Sequence, residues 1–279
     1  MIELSKINNF FHSKIGFRVN RATLMSTLRD MSCLKKYWIL GSAEISSSFG
    51  VTALGILWQP VTVGVTVFGV GFVFGHLFNI NSTEYIPYFS VSLVLWQYLI
   101  TNMIECSSVF SRPGEYQNMP FVSLSLYLIR IIAKNTILLS LNLLVVVIAF
   151  AICKASVSLV SIVFAILGLA MFVLFNIAAG MLLSIAGSRF NDIPNIIQNV
   201  MQMMFYITPI MWKAETIRYA WIYEYNPLFY LFGLVRLPLL YSVHSPNLVM
   251  VSFLLIAILA FLTLLVWSIF AWRINYHSK

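Results

Sequence analysis

Residues 189–215 read RFNDIPNIIQNVMQMMFYITPIMWKAE, and the fold turns on them. A charged turn holding Arg189 and Asp192 leads to Pro194 at the start of a helix, where its missing N–H is not needed. Asp192 suits the N-cap of that helix, either alone or paired with Arg189. The apolar run that follows is about seventeen residues long, barely enough for the about 30 Å of bilayer hydrocarbon, and Pro209 ends it. Behind it come Trp212, Trp221, Tyr223, Pro227, Phe229, Tyr230, Arg236 and Pro238. This segment is too polar for a full crossing and too apolar for an ordinary loop. Broken or re-entrant backbone is tolerated at membrane depth only where protein buries it or where it lines a watery cavity. The pair of segments therefore implies a conduit.

The composition places the rest of the chain in the same setting. Of 279 residues, 60% are hydrophobic and 9% charged, with a mean hydropathy of +0.90. Soluble domains carry about 25% charged residues, so the expected fold is an all-α integral membrane protein. The 22 Phe, 13 Tyr and 7 Trp read mostly as core and interfacial belt.

Six transmembrane helices are expected: Leu54 to Phe78, Pro87 to Val109, about Leu126 to Ile152, Val157 to about Ala186, the short fifth span, and Leu248 to Trp272. Residues 212–241 are read as re-entrant or short gate helices between spans five and six. Residues 1–50 carry an apolar stripe, Leu24, Leu28, Met31, Leu34 and Trp38, with Arg18, Arg29 and Lys36 on the far side. That pattern predicts an amphipathic helix on the membrane interface, ending in a Gly-rich turn. Residues 51–279 form the transmembrane domain.

The net charge of +8 is distributed in a way that argues against nucleic acid. Lys6, Lys14, Arg18, Arg21, Arg29, Lys35 and Lys36 all precede the first span, the positive-inside pattern of a cytoplasmic N-terminus. Six crossings return the C-terminus to the same side. No secretory signal is read in the first forty residues, so the first span is expected to serve as its own uncleaved signal. Cys33, Cys106 and Cys153 lack metal-ligand or disulfide spacing and are read as inert thiols. No metal and no cofactor is expected. Glu105 lies near the inner end of span two, where it can serve a function at membrane depth or pair with a basic neighbour.

Four stretches together resemble the membrane (permease) subunit of ABC-2 type polysaccharide exporters, the O-antigen and capsule export family. They are Ala53 to Trp58; Tyr85-Ile86-Pro87-Tyr88 through Trp96 to Glu105 and Phe110; Arg189 to Ile193 running into Thr208-Pro209-Ile210; and Asn226-Pro227-Leu228. The resemblance implies a homodimer with a channel at its centre in the bacterial inner membrane. It also implies two copies of a cytoplasmic ABC ATPase subunit and an undecaprenyl-diphosphate-linked glycan as cargo. The chain is then a transport subunit and not an enzyme, and it holds no GxxxxGK[ST] phosphate loop.

Sugars stack their C–H faces on aromatic rings without the directional demand of hydrogen bonds, so an aromatic-lined channel lets a polymer slide. Trp58, Phe68, Phe72, Trp96, Tyr98, Phe205 and Tyr206 are the candidate lining. Arg29, Lys35 and Lys36 are candidates for the lipid diphosphate, although cations beside a membrane also simply meet headgroups. Arg112, Pro113, Gly114, Glu115 and Tyr116 are candidates for coupling to the ATPase, and Pro209, Trp212, Asn226 and Pro227 for the gate. An exporter of the same class carrying capsule, teichoic acid or another cargo is an alternative. A membrane-embedded transferase of the lipid-linked glycan pathway would want acids or histidines converging at one face, whereas His12, His76, His244 and His277 are scattered.

Overall fold

The computed structural model describes residues 34–49, 54–77, 81–110, 124–214, 221–242 and 246–274. All of the regular structure in them is helical: α1 (Leu34–Phe49), a 3-10 turn (Gly55–Leu57), α2 (Trp58–Leu77), α3 (Ser82–Ser108), α4 (Leu124–Ile152), α5 (Leu159–Arg189), α6 (Ile193–Ile207), α7 (Trp221–Glu224), α8 (Pro227–Tyr241) and α9 (Pro246–Ile274). Among the described residues four stretches are long and apolar enough to cross a membrane, Gly55–Leu77, Leu126–Ile152, Leu159–Arg189 and Pro246–Trp267.

The other two expected crossings differ from these for physical reasons. Helix α3 has ample length at 27 residues, but it carries Ser90, Ser92, Asn102 and Glu105, polar side chains that a lipid-facing helix could not hold. It sits in the middle of the bundle, packed on α2, α4, α5, α6 and α8, with Tyr85, Phe89, Leu95 and Leu99 at its buried heart. Helix α6 has 15 residues, which at 1.5 Å per residue rise only about 22 Å.

Local signals explain most of the boundaries. Ser158 caps α5 by accepting a hydrogen bond from the Val160 N–H at 3.3 Å, and Asn226 caps α8 by accepting from the Leu228 N–H at 3.0 Å, with Pro227 as the first helical residue. Asp192 occupies the N-cap position of α6 but makes no side-chain capping bond, and no ion pair joins it to Arg189 among the described residues. The expected cap is thus a cap by position only. Helices α3 and α5 approach closely where a Cβ on Gly187 would fall on the Ser107 carbonyl oxygen. Only glycine lets these two backbones meet.

Candidate functional site

Helix α6 buries one stripe against its own chain and exposes the rest, where amides alternate with Ile196, Val200 and Met203. Ile197, Met201, Met204 and Phe205 point at the core and pack against it. Asn195, Gln198, Asn199, Gln202 and Tyr206 are exposed, and at 100° per residue 195, 199, 202 and 206 fall on one stripe. The helix therefore turns a row of amides and one phenol away from its own chain. The spacing of these amides was available in the sequence, where the aromatic residues drew the attention instead.

Just beyond α6, the chain from Thr208 to Trp212 is pinned by side chains from two other helices. Tyr85 of α3 donates its hydroxyl hydrogen to the Met211 carbonyl. The Tyr88 hydroxyl lies 2.8 Å from the Pro209 carbonyl oxygen and 2.7 Å from that of Trp212. Arg236 of α8, 4% exposed, donates to the Pro209 carbonyl at 2.6 Å and to the Tyr88 hydroxyl at 2.9 Å, with its guanidinium 4.7 Å from the centre of the Tyr88 ring. Asn226 donates to the Thr208 hydroxyl at 2.8 Å. Backbone that leaves a helix inside a membrane must find partners in protein, and Tyr85, Tyr88 and Arg236 supply them, while Asn226 holds the Thr208 side chain. Arg236 is buried, and its positive charge meets a ring face and neutral oxygens.

Toward the opposite end, three helices are tied by charge. Lys134 of α4 meets Glu105 of α3 at 2.6 Å, and the Asn135 amide donates to the other carboxylate oxygen at 3.0 Å. One turn away, Arg130 pairs with Glu44 of α1 at 3.0 Å. The four charged groups border a cavity of about 200 Å³. Glu105 is thereby resolved in favour of pairing with a basic neighbour. Deeper in, the Asn102 side chain donates to the Asn176 carbonyl at 3.1 Å, linking α3 to α5.

The candidate lining aromatics separate into two groups. Trp96 and Tyr98 are 5% and 4% exposed: Trp96 packs on Phe205 and Phe232 with ring centres 5.4 and 6.4 Å away, and Tyr98 lies 6.1 Å from Phe172. These two belong to the core of a single chain, a correction to the expected lining, because α3 is enclosed by its own neighbours. Phe68 and Phe205 are partly buried against that core. Trp58, Phe72 and Tyr206 are 56%, 59% and 65% exposed.

Of the expected gate residues, Pro209 is buried within the pinned segment, Asn226 is buried at the N-cap of α8, and Pro227 opens that helix. Trp212 donates from its indole nitrogen to the Tyr206 carbonyl at 3.0 Å and meets Tyr223 edge-on. Lys35 and Lys36 lie on α1, but their side chains fall outside the described part of the structure, as does Arg29. Arg112, Pro113, Gly114, Glu115 and Tyr116 also lie outside the described residues. Cys106 and Cys153 are free thiols, and burial pushes that of Cys153, in the turn after α4, above its ordinary range. No group of three or more His, Cys, Asp or Glu able to hold a metal occurs among the described residues.

The profile of the ABC-2 type transporter family matches residues 35–240. No curated protein matches the chain.

Proposed function

Because the chain belongs to the ABC-2 type transporter family, and is a membrane component of an ABC exporter that works with an ATPase partner, we propose its cargo and its assembly. Two copies meet around a central passage, two copies of a cytoplasmic ATPase subunit drive them, and the cargo is an undecaprenyl-diphosphate-linked glycan of the O-antigen type crossing the bacterial inner membrane. In this reading α3 and α6 join the four apolar helices to make six crossings, with both termini in the cytoplasm.

The observation that carries the proposal is the exposed amide row of α6. An amide moved from water to hydrocarbon with no partner costs about 4–8 kcal/mol, so Asn195, Gln198, Asn199 and Gln202 cannot face lipid tails. Water inside a passage, or groups supplied by a second copy, would satisfy them. Amides both donate and accept hydrogen bonds, which matches the hydroxyls of a sugar, and Tyr206 on the same stripe offers a ring face for its C–H side. Trp58 and Phe72 extend the aromatic surface on α2. The pinned segment 208–212, with α7 and α8, closes the outer mouth. Arg29, Lys35 and Lys36 meet the lipid diphosphate at the cytoplasmic mouth, and residues 112–116 dock on the ATPase.

The test is ATP-driven uptake of a fluorescent undecaprenyl-diphosphate-linked glycan into inverted vesicles carrying the chain and its ATPase. Asn199→Leu combined with Gln202→Leu should abolish uptake while expression and thermal stability stay at the wild-type level. Wild-type uptake by that variant would refute the passage on α6. Mass spectrometry of glycolipid that co-purifies with the complex separates an O-antigen precursor from a capsule or teichoic acid cargo.

A further inference from the structure

A second polar cavity, of about 500 Å³, opens at the far end of the bundle from the Glu44–Arg130 pair. The turn between α4 and α5, the N-terminal turns of α3, the residue after the pinned segment, and the C-terminal turn of α8 all border it. Thr83, Glu84, Tyr88, Lys154, Ser156 and Lys213 are the groups that give it its chemistry. Twenty residues of α4 separate Arg130 from Phe150 on the cavity wall, about 30 Å along the axis. The cavity thus lies at headgroup height in a bilayer whose other face meets α1.

The charge in this cavity is unbalanced. Lys213 meets Glu84 at 3.5 Å, with the carboxylate 64% exposed. Lys154 has no side-chain partner among the described residues and is exposed. One hydrogen bond behind the wall, the buried Arg236 guanidinium donates to Tyr88 at 2.9 Å and has no carboxylate partner among the described residues. Among the described residues, two lysines and one glutamate line the cavity, backed by a guanidinium with no carboxylate partner among them, a positive excess over hydroxyl groups that can donate. The backbone adds an independent observation. Lys154 closes the α4–α5 turn with φ of +52°, a left-handed position that glycine or asparagine fills with least strain.

We propose that this cavity binds a phosphate group, the phosphodiester of an anionic phospholipid headgroup in the leaflet beside it. Lys154 and Lys213 are its direct ion-pair partners, with Thr83 and Ser156 as hydroxyl donors. Glu84 holds Lys213 in place when the site is empty and is displaced from it, or opposes the ligand, when the site is filled. The site would stand whichever glycan the passage carries, because no residue of α6 contributes to it.

The test uses the full chain with its ATPase in phosphatidylcholine nanodiscs doped with phosphatidylglycerol, and native mass spectrometry to count retained lipid. Wild type should retain phosphatidylglycerol over phosphatidylcholine, and Lys154→Gln with Lys213→Gln should reduce that retention at least about tenfold, the effect of losing two charge-assisted contacts. Glu84→Gln should raise it about threefold or more by removing the opposing charge, a gain that no loss of folding could imitate. Competition with inorganic phosphate identifies the source: displacement of the lipid means that the phosphate alone is read, and resistance means that the whole headgroup is needed. Equal retention by wild type and the double lysine variant, or equal retention of both lipids by wild type, would overturn the proposal.

Discussion

Replacing Tyr88 with phenylalanine removes one oxygen from the centre of the pinned segment and leaves the ring in place. The hydroxyl has one hydrogen to give and two carbonyls within 2.8 Å, those of Pro209 and Trp212. It also accepts from Arg236 at 2.9 Å. After the change the Pro209 carbonyl keeps Arg236 as its donor at 2.6 Å, while the Trp212 carbonyl loses the Tyr88 hydroxyl, and the guanidinium keeps the ring face at 4.7 Å but one acceptor fewer. The loss is one hydrogen bond and one poorly satisfied buried carbonyl, about 1–3 kcal/mol. With a melting shift of about 2–4 °C per kcal/mol for a chain of this size, the midpoint should fall by several degrees. Arg236→Met removes the donor on the other side of the same oxygens, so the double variant should cost less than the sum of the single changes by about 1–3 kcal/mol. The assay is thermal unfolding of the detergent-solubilised complex, read by size-exclusion fluorescence, together with leakage of a trapped oligosaccharide from vesicles without ATP. If residues 208–212 close the outer mouth, Tyr88→Phe should leak more than wild type. A purely additive double variant, combined with wild-type leakage, would refute the reasoning.

The remaining predictions concern the joints of the bundle. Gly187→Ala places a methyl group where the Ser107 carbonyl oxygen already lies, so α3 and α5 must separate at a cost of about 3 kcal/mol or more, visible as loss of folded complex in detergent. Gly69→Ala, whose added carbon meets nothing within 4 Å, should be neutral or stabilising by about 1 kcal/mol through helix propensity. Lys134→Ala strands a carboxylate that is 32% exposed, and this partial contact with water limits the cost to about 1–3 kcal/mol. Combining Lys134→Met with Glu105→Gln should recover most of that loss in the same unfolding measurement.

Much of the architecture could be read from spacing, and the reason is that lipid imposes simple rules. The abbreviated helix ending at Pro209 and the Asn226-Pro227 start of the next short helix are written in prolines and caps, which act locally. What escaped was set by neighbours far away in sequence. Trp96 and Tyr98 sit on a helix whose mixture of aromatic and polar residues suits a passage equally well as a crowded centre, and periodicity cannot count how many helices surround a residue. The burial of Arg236 could not be read from spacing, because nothing nearby in sequence announces Tyr88, 148 positions earlier, or the carbonyl of Pro209. The amide row of α6, by contrast, needed only a helical wheel.

Helix α3 carries a last consequence, for the making of the protein. Its polar side chains find their partners in Lys134 and Asn135 and in the Asn176 carbonyl, all on segments synthesised after it. When it first leaves the ribosome, the insertion machinery meets a stretch whose carboxylate and amides have no companions and whose hydropathy falls short of that of its four apolar relatives. In the six-crossing arrangement proposed above, its commitment to the bilayer must wait until α4 and α5 have arrived. A nascent chain halted before Asn176 would therefore hold α3 in an easily extracted state, and the two helices that follow it act in effect as its chaperone.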